Sequence, residues 1–339
     1  MKIAIFAYSR QGCLTARRVK NFWEDHDVRC YTMERFAEPD FLPLQKPSRD
    51  FYGQLFAWSD VLVFVGSTGI AVREIAPHIQ DKTKDPAVLV IDELGKFVIP
   101  LLSGHIGGAN VLALSLSHAL DSVPVITTAT DINRRFSVDA WAAQNDFVIS
   151  NMNTAKAVSA AILEGNVPLC SDYPIVSALP NGVEQGSNGS VGIKISIYRE
   201  EPFGRTLRLI PRVLHLGIGC RKGTSCAAIR EAVEAVLEQH WIDRRAVKCV
   251  ASIDLKAQEE GLLQFCEEEN LSVSFYTAQQ LQSVDGEFTP SSFVQSITGV
   301  ENVCERSALY GADQLIVKKT PRNGVTVAVA AENLEVRFE

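Results

Sequence analysis

The sequence predicts an α/β protein of several domains: an N-terminal doubly wound, mostly parallel sheet, a small middle α+β segment, and a separate C-terminal α/β domain. Three observations carry this. Near-continuous apolar runs, Val61-Leu62-Val63-Phe64-Val65 and Ala87-Val88-Leu89-Val90-Ile91, read as parallel strands covered on both faces. Helical patterns alternate with such runs. Strand–glycine loop–helix openings occur twice, around 97–120 and 213–239. The 339 residues suit two or three domains, expected at 1–135, 136–210 and 211–339.

The elements follow in order. Residues 3–8 form a first strand, and Leu14, Ala16, Val19 and Phe22 an amphipathic helix. A second strand lies at 28–32 and a third at 60–65. The third stops at Gly66-Ser67-Thr68-Gly69, and a helix with Ile70, Val72 and Ile75 follows, ending near Pro77. Strand 87–92 turns through Glu93-Leu94-Gly95-Lys96 into an apolar run at 97–102. A leucine-rich helix over 112–120 and a strand at 123–126 close the unit. The middle segment opens with a helix bearing Phe136, Val138 and Trp141. It continues through Ala155 to Leu163, then becomes strand and turn over 172–197, with Asn181-Gly182 and Asn188-Gly189 as turn signals. The last unit reads as strand 213–219, helix 225–239, strand 247–253, helix 256–269 and strand 272–276. A helix near 291–311 follows, interrupted at Gly299. A hairpin across Arg322-Asn323-Gly324 ends it.

Composition excludes several classes. Hydrophobic residues are 46% and charged residues 22% of the chain, the balance of a globular protein rather than a disordered one. A net charge of −7 argues against a nucleic-acid partner. No apolar run approaches the ~20 residues needed to cross a bilayer, so no membrane is expected and the expected location is the cytoplasm. Eight cysteines are scattered without a Cys-x-x-Cys, so no metal site is expected.

Four constellations can carry chemistry. Gly66-Ser67-Thr68-Gly69 opens a helix with Arg73 one turn in, a place where backbone N–H groups and a guanidinium can hold an anion. Ser103-Gly104-His105-Ile106-Gly107-Gly108-Ala109-Asn110 sets a histidine, able to act as acid or base near neutrality, among glycine N–H groups. Thr127-Thr128-Ala129-Thr130-Asp131 ends the strand after it, so two strand ends can serve one crevice. Asp131 can orient His105, activate water, or simply cap a helix. Lastly, Gly219, Arg221, Lys222 and Gly223 form a basic glycine loop after the 213–219 strand. It matches neither the Walker nor the Rossmann fingerprint, and suits a carboxylate at least as well as a phosphate.

Together these segments resemble the cobalt-precorrin-5A hydrolase family of oxygen-independent cobalamin biosynthesis. The matching residues in the N-terminal half are Gly69-Ile70-Ala71-Val72-Arg73, Lys84-Asp85-Pro86-Ala87-Val88, Asp92-Glu93 with Gly95, the 103–110 loop and Thr127-Thr128-Ala129-Thr130-Asp131. In the C-terminal half they are Gly217-x-Gly219-Cys220-Arg221-x-Gly223, Ile253-Asp254-x-Lys256, Ser292-Phe293-Val294, Gly299-Val300 and Val303-x-Glu305. The resemblance implies a cobalt-bearing tetrapyrrole substrate whose ring-A acetate lactone is opened by water. The two-carbon fragment leaves as acetaldehyde, giving cobalt-precorrin-5B. A non-catalytic tetrapyrrole carrier is the alternative. On the hydrolase reading our own mechanistic assignment, separate from what the resemblance implies, makes His105 the base and Asp131 its orienter. Gly107 and Gly108 hold the oxyanion. The three glycine loops with Ser103, Asn110, Arg73, Arg221 and Lys222 bind substrate carboxylates. Cobalt arrives with the substrate, so no cofactor is bound by the protein itself. A homodimer and transient contacts with neighbouring pathway enzymes are compatible partners.

Overall fold

The computed structural model describes residues 1–81, 84–291, 295–296 and 299–338. The chain divides into two compact units, Met1–Ala140 and Trp141–Glu339. The first is built on a seven-stranded sheet: β1 (Lys2–Ala7), β2 (Asp27–Thr32), β3 (Leu42–Pro43), β4 (Val61–Val65), β5 (Ala87–Ile91), β6 (Phe97–Leu102) and β7 (Val123–Pro124), in the order β3-β2-β1-β4-β5-β6-β7. Its helices are α1 (Arg10–Phe22), α2 (Ser48–Trp58), α3 (Thr68–Ile75), α4 (Ala109–Leu120) and the short α5 (Ala129–Ile132); α6 (Val138–Gln144) carries the chain across the boundary.

The central strands β1 (from Ile3), β4 and β5 are apolar because both faces are covered. Ile3, Ile5, Val63 and Leu89 pack against Ala16 and Val19 of α1 and Leu116 of α4. Their sequence neighbours Phe6, Leu62, Phe64 and Val90 pack against Tyr52 and Phe56 of α2 and Ile75 of α3. Each such large side chain contributes roughly 1.5–3 kcal/mol on burial. Ser9 caps α1, accepting from the Gly12 N–H at 2.9 Å, and Ser67 caps α3, accepting from Gly69 at 3.3 Å. The helix α2 lies where the sequence offered no assignment. Its apolar positions Phe51, Tyr52, Leu55 and Phe56 are buried at helical spacing.

One reversal decides where the loops end up. The Asp92 carboxylate accepts from the N–H groups of Leu94, Lys96 and Phe97, wrapping the chain into a tight turn with Gly95 at φ +70°. β6 therefore runs antiparallel to β5, pairing Ile91 with Val98 and Val88 with Leu102. β7 runs parallel to β6.

The second unit holds two five-stranded sheets. The first comprises β8 (Phe147–Ile149), β9 (Val167–Ser171), β10 (Val183–Gln185), β11 (Val191–Ile195) and β12 (Arg205–Pro211), in the order β10-β9-β11-β12-β8 with only β8 antiparallel. The single long helix expected over 136–163 is α6 and α7 (Met152–Glu164) with β8 between them. Asp146 at φ +57° ends the first, and the Asn151 side chain caps the second. The other sheet comprises β13 (Leu214–Cys220), β14 (Val247–Ile253), β15 (Ser272–Tyr276), β16 (Gln314–Arg322) and β17 (Val325–Ala331), in the order β15-β14-β13-β17-β16. Its helices are α8 (Cys226–Gln239), α9 (Glu260–Glu268), α10 (Ala278–Gln282) and α11 (Cys304–Leu309). Asn323 and Gly324 take φ +47° and +84°, the two positive values a type I′ hairpin demands. Gly299 takes φ +75°. Ser292-Phe293-Val294 lies outside the described residues.

Candidate active site

In the first unit His105 is held between two carboxylates. Nε2 lies 2.9 Å from Asp131 Oδ2 and Nδ1 lies 3.2 Å from Asp139 Oδ1. Thr130 Oγ1 stands 3.3 Å from Nε2. Asn110, nearly buried, donates from Nδ2 to Asp131 Oδ2 at 3.0 Å and to Thr128 Oγ1 at 2.9 Å, tying the two loops together. Asp139 is fixed in turn by the Ser137 hydroxyl, which donates to it at 3.0 Å. The hydrogen bond to Asp139 raises the imidazole pKa, burial opposes it, and Asp131 adds to the rise. The two carboxylates thus favour the imidazolium form, in which both ring N–H groups donate. Asp139 keeps 11% of its side chain exposed and Asp131 34%. Asp139 is therefore the buried anchor, and Asp131 is the carboxylate a ligand meets.

The glycine loop shapes this site more than it binds with its amides. A Cβ on Gly104 would fall 2.7 Å from Asn110 Oδ1, and one on Gly107 would fall 2.4 Å from Ser103 Cβ. Gly108 takes φ +79°. The loop closes on itself: Gly108 donates to the His105 carbonyl at 2.9 Å, Ala109 to Ser103 at 3.1 Å and Asn110 to Gly104 at 2.9 Å. The expected Gly107/Gly108 oxyanion pair is thereby corrected. The Gly108 N–H is spent on the loop, whereas the N–H groups of Gly104, His105, Ile106 and Gly107 have no backbone acceptor among the described residues. Ser103 donates to the Asp85 carbonyl at 2.9 Å, a structural tie.

The 66–69 loop does not join this crevice. It leaves β4 beside the end of β5, where Val65 pairs with Ile91, whereas the 103–110 loop leaves β6 beside the start of β5, where Leu102 pairs with Val88. The reversal of β6 sets the two loops at opposite ends of the sheet. The Gly66 N–H is used in the sheet, donating to Ile91 at 2.8 Å, and that of Gly69 by the Ser67 cap. Thr68 lies in the first turn of α3, and Arg73 is exposed on that helix. Thr127 is exposed beside the His105 cluster's Thr128.

In the second unit, a cavity of about 680 Å³ opens at the carboxyl ends of β13 and β14, the place where open α/β sheets take ligands. It is lined by Gly219, Arg221, Lys222, Lys256 and Lys319 among others, four cations with no acidic side chain among the described residues of its wall. Its thiols stay protonated: burial pushes Cys304 up to about 12 and raises Cys220 as well. The predicted loop is thus present, with one correction. The Gly223 N–H, at φ +74°, donates to the Glu259 carboxylate, which also pairs with Lys256 at 2.9 Å. Burial raises the Glu259 pKa, but Lys256 and the loop amides outweigh it and hold the group ionised. The anion in this nest is the protein's own. Gly219 serves packing, since a Cβ there would fall 2.6 Å from Thr326 Oγ1.

Two residues, Asp139 and Lys319, were absent from the sequence reading, and a third, Lys256, was given no role in it. Asp139 had a local signal, a Ser-x-Asp at a helix start. Lys256 was named only within the family motif Ile253-Asp254-x-Lys256. Lys319, within the hairpin, had none.

Family models match both halves: Cobalamin synthesis G N-terminal over residues 50–131, which includes His105 and Asp131, and Cobalamin synthesis G C-terminus over 214–330, which includes the cationic cavity. These matches define an α/β protein of the cobalamin synthesis G class. The chain is 32% identical over 342 residues to a cobalt-precorrin-5A hydrolase of Salmonella typhimurium, covering 96% of this chain and 97% of the relative. It is 30% identical over 354 residues to a cobalt-precorrin-5A hydrolase of Priestia megaterium, covering 96% and 94%. The crystal structure of a putative cobalamin biosynthesis protein G homolog from Sulfolobus solfataricus aligns over 97% of each chain with 24% identity and a TM-score of 0.42. The chain belongs to the cobalt-precorrin-5A hydrolase family.

Proposed function

We propose that this protein is a cobalt-precorrin-5A hydrolase, opening the ring-A acetate lactone and releasing acetaldehyde to give cobalt-precorrin-5B. The observation that carries the reading is likeness to two such hydrolases over 96% of the chain. Two local features support it. A four-cation cavity suits a macrocycle edged with carboxylates, and the His105 cluster suits proton transfer.

Arg221 and Lys222 are the foremost carboxylate-binding groups of that second-unit cavity, and on this reading the chemical steps belong to the first unit's His105 cluster by itself. Asp131, the exposed partner of His105, takes a proton from the attacking water as its oxygen bonds to the lactone carbonyl. The Gly107 N–H faces the developing oxyanion. As the acyl–oxygen bond breaks, the His105 imidazolium gives its Nε2 proton to the departing alkoxide, leaving an alcohol and a neutral imidazole. That imidazole then accepts the alcohol proton. The carbon–carbon bond breaks, its electron pair passing into the cobalt-bound macrocycle, and acetaldehyde departs. Asp139 keeps the ring oriented throughout. Cobalt belongs to the substrate, and the scheme calls on no cofactor held by the protein. Among the described residues no helix is long and apolar enough to cross a membrane, and the reading places the enzyme in the cytoplasm.

The test is anaerobic incubation of the purified protein with cobalt-precorrin-5A and assay of released acetaldehyde. Catalytic acetaldehyde with ring-opened product is the expected result. Tight binding without acetaldehyde would instead identify a carrier.

A further inference from the structure

The reach of the cationic cavity is set by a residue far from its glycine loop. Lys319 lies on β16, on the hairpin wall of the cavity. Its backbone N–H donates to Glu305 Oε1 at 2.7 Å. Glu305 is fully buried and gathers three more donors: the Thr289 N–H at 2.8 Å, the Thr289 hydroxyl at 2.9 Å and Asn302 Nδ2 at 2.7 Å. Asn302 returns the contact by accepting the Glu305 N–H at 2.8 Å. β16 is thereby pinned to the 289 and 302 segments at the position that carries the lysine. Among the described residues the Lys319 ammonium, which has three donors, meets one neutral acceptor, the Thr289 carbonyl at 3.3 Å, and no carboxylate lies within ion-pair distance of it, of Arg221 or of Lys222. Lys256, by contrast, already has Glu259.

We propose that Lys319 is a substrate-binding residue, the third uncompensated cation of a carboxylate-binding set with Arg221 and Lys222, held in place by the buried Glu305 clamp. This rests on the hydrolase reading and deepens it. The ligand it selects is a macrocycle with carboxylates on more than one side. Arg221 and Lys222 grip one side from the 217–225 loop, and Lys319 takes another from the hairpin.

The experiment compares wild type, Lys319→Ala, Lys319→Arg and a charge-matched control away from the cavity, Lys156→Ala. Steady-state turnover of cobalt-precorrin-5A is measured together with equilibrium titration by uroporphyrin III, a cobalt-free octacarboxylate macrocycle, with circular dichroism to verify folding. Loss of one charge-assisted contact is expected to raise KM, and the Kd for uroporphyrin III, about tenfold. kcat should stay within about twofold, and Lys319→Arg should restore most of the affinity. Wild-type KM and Kd in Lys319→Ala, with normal wild-type turnover, would overturn the assignment of Lys319 and leave the hydrolase reading standing. Wild-type binding of uroporphyrin III that weakens in Lys319→Ala, without any turnover of cobalt-precorrin-5A, would support the site and overturn the hydrolase reading. Absence of both binding and turnover in wild type would overturn both.

Discussion

At the scale of single residues, the proposed chemistry turns on an imidazole whose two nitrogens each face a carboxylate. His105→Ala is expected to lower acetaldehyde release by more than ~100-fold while circular dichroism stays unchanged; near wild-type turnover in that variant would remove His105 from the mechanism. The raised pKa gives the pH dependence a definite sign. The imidazolium is the form the carboxylates stabilise. Its contribution to stability is therefore complete below the ordinary value of about 6.5 and is lost as pH rises through the higher folded-state value. The difference in unfolding free energy between wild type and His105→Gln, followed by urea titration, should shrink with rising pH. kcat/KM should show an alkaline limb above 6.5, and Asp139→Asn should move that limb to lower pH by removing the group that raises the pKa most. The meeting of His105 with Asp131 was legible in the sequence because a histidine among glycines has no packing role there and the next strand ends at an acid. Asp139 was not, because its helix reads as an apolar one and only the fold brings its start under the ring.

At the scale of elements, glycines mark where backbones touch. A Cβ on Gly217 would fall 1.9 Å from the Cys304 carbonyl and 2.9 Å from the Ala308 nitrogen, so α11 lies directly on β13. Gly217→Ala is expected to cost about 2–4 kcal/mol, read as a lowered urea midpoint, since rigid backbone rather than a side chain must yield. Glu305→Gln faces a related conflict. Four donors converge on the carboxylate, and an amide turns N–H against N–H, at about 3 kcal/mol or more. Strand–loop–helix order was legible at this scale from apolar runs and glycine punctuation. The use of each loop's amides was not. A glycine-rich loop that closes on itself, as at 103–110, and one that opens to a ligand have the same spelling, and only the distribution of hydrogen bonds separates them.

At the scale of the molecule, a chain of net charge −7 gathers four cations around one cavity. Salt screens attraction between such a surface and an anionic ligand, so KM for cobalt-precorrin-5A is expected to rise several-fold between low salt and about 0.5 M, with kcat little changed. The alternation of strands and helices revealed the fold class from the sequence alone. Strand direction stayed hidden, because an apolar hexapeptide reads the same whichever way it enters a sheet, and five residues around Asp92 settled it. That small turn has a wider consequence for how the first unit can change. Its histidine loop and the loop whose Ser67 caps α3 lie at opposite ends of one sheet. A lineage can therefore rebuild either loop, in length or in charge, with the other untouched.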